Sequence, residues 1–307
     1  MSSHHSTQKV TPREKFKSIM KGNRTSEILF WEVWFQKFKM LEKRYGDPTR
    51  IESKIKMAQD LGMAAVSIGY LDLNCLFGEH QNTMAGESRY AGGSLRSRKQ
   101  LDEKPLPDWS SVIPELQRRQ QLVAAAGIAG VLYLPWCFHA IATSMGLEHF
   151  AMTLYDDFDF LKTCMHWVEE RNRKAIEQVV QLVQPDLVLF DGDCAFKTGL
   201  MVRPTILREL VFAETQATVA RLQALNIPYA LHSDGKLDKL IPMLFELGFS
   251  AIHGCEKQAN DLADLVERFG DDICLLGNMD VVFLTQAHVD QVRAETQNML
   301  KIGSQKG

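Results

Sequence analysis

Ile227-Pro228-Tyr229-Ala230-Leu231-His232-Ser233-Asp234-Gly235 is an apolar run that ends in polar, potentially reactive side chains. Such a run reads as a buried strand with chemistry at its tip. The pattern returns at Ile252-His253-Gly254-Cys255-Glu256, and again at Leu275-Leu276-Gly277-Asn278-Met279-Asp280. Three successive apolar strands with polar ends are the arrangement by which a parallel α/β barrel gathers reactive groups at one rim.

Upstream, four more short runs read as strands. They are Ile28–Val33, Ala64–Ile68, Gly130–Leu134 and Asp186–Phe190, the last followed by Asp191-Gly192-Asp193. Each is apolar on both parities, as in strands covered on both faces. Helical patterns separate them, at 158–182, 204–225, 237–247 and 262–269. The expected fold is therefore α/β, a TIM (β/α)8 barrel. Seven strand candidates leave the eighth missing or truncated at the C-terminus, where Leu300 to Gly307 break off. Residues 1–10 read as a disordered N-terminus and 11–307 as one barrel domain. Within it, 78–111 is polar and rich in Gly and Arg, an inserted loop or lid.

Composition narrows the function classes. Of 307 residues, 45% are hydrophobic and 24% charged, with a formal net charge of −3. That is an ordinary globular balance with no basic excess for nucleic acid or an anionic membrane. No apolar run is long enough to span a bilayer, and the polar start lacks the core of a signal peptide. Six cysteines without a CxxC pair read as reduced thiols, so the expected location is cytoplasmic. The spacing excludes a zinc ribbon.

Strand alternation puts His232 and Asp234 on one face, Asp191 and Asp193 on one face, and Asn278 with Asp280 on another. At the sixth strand a choice remains. His253 and Cys255 share one parity, Ile252 and Glu256 the other, and both sets cannot point inward without a bulge. The candidate catalytic set is Asp191, Asp193, His232, Asp234 and Asn278. His232 with a carboxylate suits either a divalent metal with an open position or a proton shuttle. Trp31, Trp34, Trp136 and His139 lie at the ends of the first and third strands, and suit an aromatic-lined substrate mouth. Plainer readings stand beside these. Asp234-Gly235 is also a turn pair, Cys255 a core filler, His253 a core or supporting residue, and the tryptophans barrel-to-helix packing.

Several segments in order carry a resemblance: Thr11–Phe16, Met145–Phe150 ahead of Leu154–Asp157, Asp191, Arg203-Pro204, His232–Gly235 and Leu276–Val281. With them the chain resembles the uroporphyrinogen decarboxylase superfamily, which includes cobalamin-dependent methyltransferases. The resemblance implies a TIM barrel with its site at the strand C-termini. Its decarboxylases use no cofactor and hold a polycarboxylated ring with an arginine-rich N-terminal segment. Here Phe30 to Gln36 is aromatic and has no arginine. Its methyltransferases bind zinc through His-x-Cys and a late Cys. Here His232 matches the His, while Asp234 stands at the Cys position. The implied site is a modified one, with His232 and Glu256 as metal ligands and Asp234 or Cys255 as further donors. The implied activity moves a methyl group from a small methoxy, methylamine or methylthiol compound to a corrinoid on a partner protein. The alternatives are a decarboxylase-like lyase and a non-catalytic barrel that binds a ligand or a corrinoid protein.

Overall fold

The computed structural model describes residues 10–23, 27–32, 39–82 and 88–306. The N-terminal tail and Trp34 lie outside them. Six strands form one parallel sheet: β1 (Ala65–Tyr70), β2 (Ala129–Pro135), β3 (Leu187–Asp191), β4 (Tyr229–Ser233), β5 (Ala251–Gly254) and β6 (Cys274–Gly277). Their spatial order follows the chain order without reversal. A doubly wound sheet reverses at a switch point; this one does not.

The two faces of the sheet carry separate apolar clusters. Val66, Leu132, Phe190, Leu231 and Ile252 pack with the helices. Ala65, Ala129, Val131, Tyr133, Leu187, Leu189, Ala230 and Ala251 form an inner cluster. Leu29 and Trp31 from the start of the chain reach it, and so do Cys274 and Leu276 of β6. Both edges of the sheet thus bury side chains in one interior. The many alanines on that face leave room for it to curve.

The expected first strand is reduced. Among the described residues it makes one parallel bridge, Phe30 to Met63, beside β1. No eighth strand is present among the described residues, and 289–303 is helical. The excursion after β1 is ordered where described. Gly78–Asn82 and Ser88–Gly93 form an antiparallel hairpin. Tyr90 donates to the Thr143 carbonyl at 2.7 Å, and Arg96 donates to the Met145 carbonyl at 3.0 Å. These bonds pin the hairpin base to the helix Cys137–Met145. The long helix predicted over 158–182 is α-helical at Phe158–Ala175 and widens into a π-turn at Ile176–Val180. The helix expected from 237 starts later, at Ile241. No helix of the described residues is long and apolar enough to cross a membrane.

The first helix, Pro12–Met20, closes the interior at the strand N-termini. Thr11 and Glu14 form a reciprocal capping box at its start. Phe16 and Met20 enter the inner cluster. Arg13 grips Asp186 through two bonds of 2.9 Å, and Lys17 lies 3.4 Å from the same carboxylate. Asp186 also accepts from Gly130 N–H at 3.0 Å and Gln120 at 3.1 Å, and its side chain is 1% exposed. Removing one partner of such a pair strands the other's charge. Asp186→Asn is therefore expected to lower unfolding free energy by ~2–4 kcal/mol, a discount for the partly exposed Arg13 included. Urea unfolding checks this, and a loss below ~1 kcal/mol would mean that the clamp is not structural.

Candidate functional site

Register across the sheet aligns the polar strand ends. Pro135 pairs with Asp191, Asp191 with His232, His232 with His253, and His253 with Leu276. These residues form one rung, so three titratable groups stand side by side on adjacent strands. The inner cluster fixes their direction. Leu189, Ala230 and Ala251 lie in it, and Asp191, His232 and His253 follow each by two residues.

His232 is buried at 9% exposure. Its Nδ1 lies 2.7 Å from Nδ1 of His253. Its Nε2 faces two carboxylates, 3.8 Å from Asp193 Oδ1 and 3.9 Å from Asp234 Oδ1. Asp193 belongs to the loop after β3, and Asp234 to the loop after β4. The loops are laced together, since Asp193 accepts the Asp234 N–H at 2.8 Å and the His232 carbonyl accepts the Gly192 N–H at 3.1 Å. Next in the chain, Gly235 takes φ +86°, and a Cβ there would lie 2.5 Å from the Ala195 carbonyl oxygen. Glycine is needed at that turn on both counts.

Burial dominates the electrostatics. It raises the pKa of Asp191, with His232 and His139 opposing and Asp193 adding to the rise. It likewise raises that of Asp234, opposed by His232 and reinforced by Asp193, Glu256 and Asp191. Tyr133 is held above its ordinary pKa by burial, then by Asp191 and Glu32. For His253 burial works the other way. It lowers the pKa to about 3, helped by the charge of His232. A free imidazole titrates near ~6.5. Between these values the unfolded chain binds a proton that the folded chain refuses, so stability falls as pH falls through that window. The loss at this one group is expected to reach ~2 kcal/mol between pH 7 and pH 5. Urea midpoints at the two pH values, for the native chain and His253→Phe, would show it. Equal acid sensitivity in both would reject the assignment.

The structure sorts the candidate residues. Asp191, Asp193, His232 and Asp234 come together. Glu256 does not join His232 as the sequence suggested. Its Oε2 accepts the Gly235 N–H at 2.8 Å, because the chain turns sharply at Gly254 (φ +117°) and Cys255 (φ +39°). Cys255 is buried with its Sγ 4.0 Å from the Ile252 carbonyl, and burial pushes its thiol up to about 12. That thiol is a core group, not a ligand of this cluster. Asn278 is 4% exposed and donates to the Cys255 carbonyl at 2.6 Å, which braces the turn rather than facing a substrate. Trp136 is 1% exposed, and its indole N–H bonds to Thr215 in the helix layer at 3.2 Å. It follows Pro135 on the outward parity and so leaves the mouth. His139 is half-buried, and its charge acts on Asp191. Trp31 is half-buried, edge-on to Phe16 with centroids 5.5 Å apart, and 6.2 Å from the ring of His253. His253 joins the rung as well, and the signal for it in the sequence is its parity relative to Ala251. Tyr70 and Tyr133, paired across β1 and β2, are also added by the structure.

Among the described residues, one group offers metal-ligating atoms all within 4.8 Å of one another: Asp193, His232 and Asp234. Two ligands on one ion, each bonded at ~2.1 Å, stand at most ~4.2 Å apart. The two gaps from His232 Nε2 lie inside that limit. Asp234 is half-exposed and free to rotate its carboxylate into place. One nitrogen and two oxygens suit a borderline or hard divalent ion, so the residues fit a metal even without the family's thiolates.

A methyltransferase from Methanosarcina mazei superposes with a TM-score of 0.75 at 16% identity, covering 96% of this chain and 91% of that one. At that identity the likeness establishes a shared fold. An old yellow enzyme homologue from Zymomonas mobilis covers 100% of this chain and 92% of its own at 11% identity, but its TM-score of 0.38 carries no weight. A search of curated proteins finds no match. The profile for uroporphyrinogen decarboxylase (URO-D) matches residues 102–307, more than half of the chain and the part that holds β2 to β6. On that match, the chain belongs to the uroporphyrinogen decarboxylase (URO-D) family.

Proposed function

We propose that this chain is a methyltransferase of the family, moving a methyl group from a small methylated compound to a corrinoid carried by a partner protein. The observation that carries the reading is the Asp193–His232–Asp234 cluster at the ends of adjacent parallel strands. The fold shared with a methyltransferase over nearly the whole chain supports it. The interior reached from both edges of the sheet supports a TIM-type barrel around it.

In this reading His232, Asp193 and Asp234 hold a divalent ion, with zinc the first choice. When bound, the ion supplies Lewis acidity toward the heteroatom that bears the methyl group. Asp191 stands on the same rung and is pushed toward its protonated form by burial. It gives its proton to the departing oxygen, nitrogen or sulfur as the carbon leaves for the corrinoid. Glu256 holds the Gly235 turn and so keeps Asp234 in reach. Trp31 and Tyr133 supply an aromatic wall, and His139 tunes Asp191.

A carboxy-lyase acting on a porphyrinogen is disfavoured by charge. Asp193 and Glu256 carry negative charge beside Asp234 at this mouth, and both act on its carboxyl. A ring bearing many carboxylates would be repelled there and poorly compensated for its lost hydration.

Elemental analysis of the purified protein, followed by transfer to cob(I)alamin from methoxy, methylamine and methylthiol donors, tests the proposal. Expected is about one divalent ion per chain and transfer from at least one donor class. Metal-free protein inactive with every donor would overturn it and leave a barrel that binds without turnover. Decarboxylation of uroporphyrinogen would favour the lyase.

A further inference from the structure

His232 and His253 meet through the same ring nitrogen, Nδ1 to Nδ1, at 2.7 Å. At that distance one nitrogen carries the hydrogen and the other accepts it. Two arrangements satisfy the contact. Either His232 donates from Nδ1, and its Nε2 is the basic atom, or His253 donates and the hydrogen of His232 sits on Nε2. The second arrangement would aim an N–H at the cluster formed with Asp193 and Asp234. The separations there, 3.8 and 3.9 Å, are short enough for two ligands of one ion, and a ligating nitrogen must offer its lone pair.

We infer that His253 is a positioning residue: its ring accepts the Nδ1–H of His232 and leaves the Nε2 lone pair of His232 facing Asp193 and Asp234. The rung sets this up. His232 and His253 are register partners on β4 and β5, and their rings lie 5.0 Å apart at 39°. Trp31 packs on His253 from the first segment and holds its ring in place. A half-turn of the His232 ring would present a carbon to His253 and break the bond, so the same contact fixes tautomer and orientation together. Partners of this kind commonly orient a ligating imidazole through its other nitrogen. Here the partner is a second imidazole, which can accept at Nδ1 only while its own hydrogen is on Nε2. His253 touches no reacting atom in this role.

Both the tautomer and the use of the Nε2 lone pair rest on the metal reading above. Ring-15N correlation spectra of the metal-free full chain, labelled in histidine, report which nitrogen of each ring is protonated. His232→Gln and His253→Phe assign the signals. Zn2+ titration by calorimetry is the second readout. The expected spectrum shows His232 protonated at Nδ1 and bare at Nε2. His253→Phe removes the acceptor, mixes the tautomers and weakens Zn2+ binding by ~10–100-fold. His253→Asn offers a carbonyl oxygen and restores the Nδ1–H with most of the affinity. An Nε2-protonated His232 in the native chain overturns the inference, and so does a Phe variant unchanged in both readouts. If the native chain binds no Zn2+, the metal reading fails while the ring spectrum still decides this one. If His253→Phe does not fold, the native and Asn spectra decide it.

Discussion

Replacing His232 by glutamine is expected to lower methyl transfer by at least ~100-fold while the chain remains folded, the low end for a positioned proton-transfer or ligating group. His232 is the one residue that joins every part of the site. It shares a rung with Asp191, contacts His253 at 2.7 Å, and stands 3.8 and 3.9 Å from Asp193 and Asp234. Glutamine keeps polarity and approximate length but lacks an imidazole nitrogen at the Nε2 position. The fold should tolerate it, because the ring ends a strand and the change leaves one buried group less well paired, at ~1–3 kcal/mol. Transfer rates at saturating donor, metal content and far-UV circular dichroism together check the prediction. A folded variant within ~3-fold of the native rate would remove His232 from the chemistry, since a residue in that role accounts for ~100-fold or more.

Gly254→Ala is expected to have the largest effect on stability, lowering it by ~3–5 kcal/mol. Gly254 sits at φ +117°, a conformation that side chains rarely adopt. A Cβ there would lie 2.1 Å from the Ser233 carbonyl oxygen and 3.6 Å from the Asp234 nitrogen. Both neighbours are backbone, and both belong to the strand end that carries His232. The clash cannot be relieved by turning a side chain. It must move β4 against β5, and with them the His232–His253 contact. Against a typical domain stability of ~5–15 kcal/mol this is a severe change. Thermal and urea unfolding would measure it. A variant within ~1 kcal/mol of the native chain would show that the two strand ends yield more easily than their packing implies.

Much of this architecture was legible in the sequence, and the reasons are local. The apolar run Tyr229–Leu231 is buried on both parities in the structure, as continuous runs of that length predict. Helix 262–269 is bounded by Asp261, whose side chain caps it, and by Gly270. The pairing of His232 with Asp234 on one face follows from the strand period alone and holds at 3.9 Å. What was not legible involves turns and partners that lie outside each segment. Glu256 left the expected set because positive φ at Gly254 and Cys255 swings it onto the Gly235 N–H. Trp136 left the mouth because it follows Pro135 on the outward parity once the true end of the strand is known, and Thr215, far along the chain, partners its indole in the helix layer. Asn278 is an amide that any strand end could present to substrate, and only the turn at Cys255 shows that it has a carbonyl to hold.

The alternation of short buried strands with helices, and the polar groups at the ends of consecutive strands, are properties of the residues in each segment. Burial and side-chain alternation are written into each segment, so they can be read one segment at a time. Which of those groups meet depends on how the strands pack side by side. Asp191, His232 and His253 share a rung because helices of different lengths return the chain to the sheet at matching heights. That register is set by packing between segments distant in the chain. No single segment contains it, and the Nδ1-to-Nδ1 contact of two histidines is its consequence.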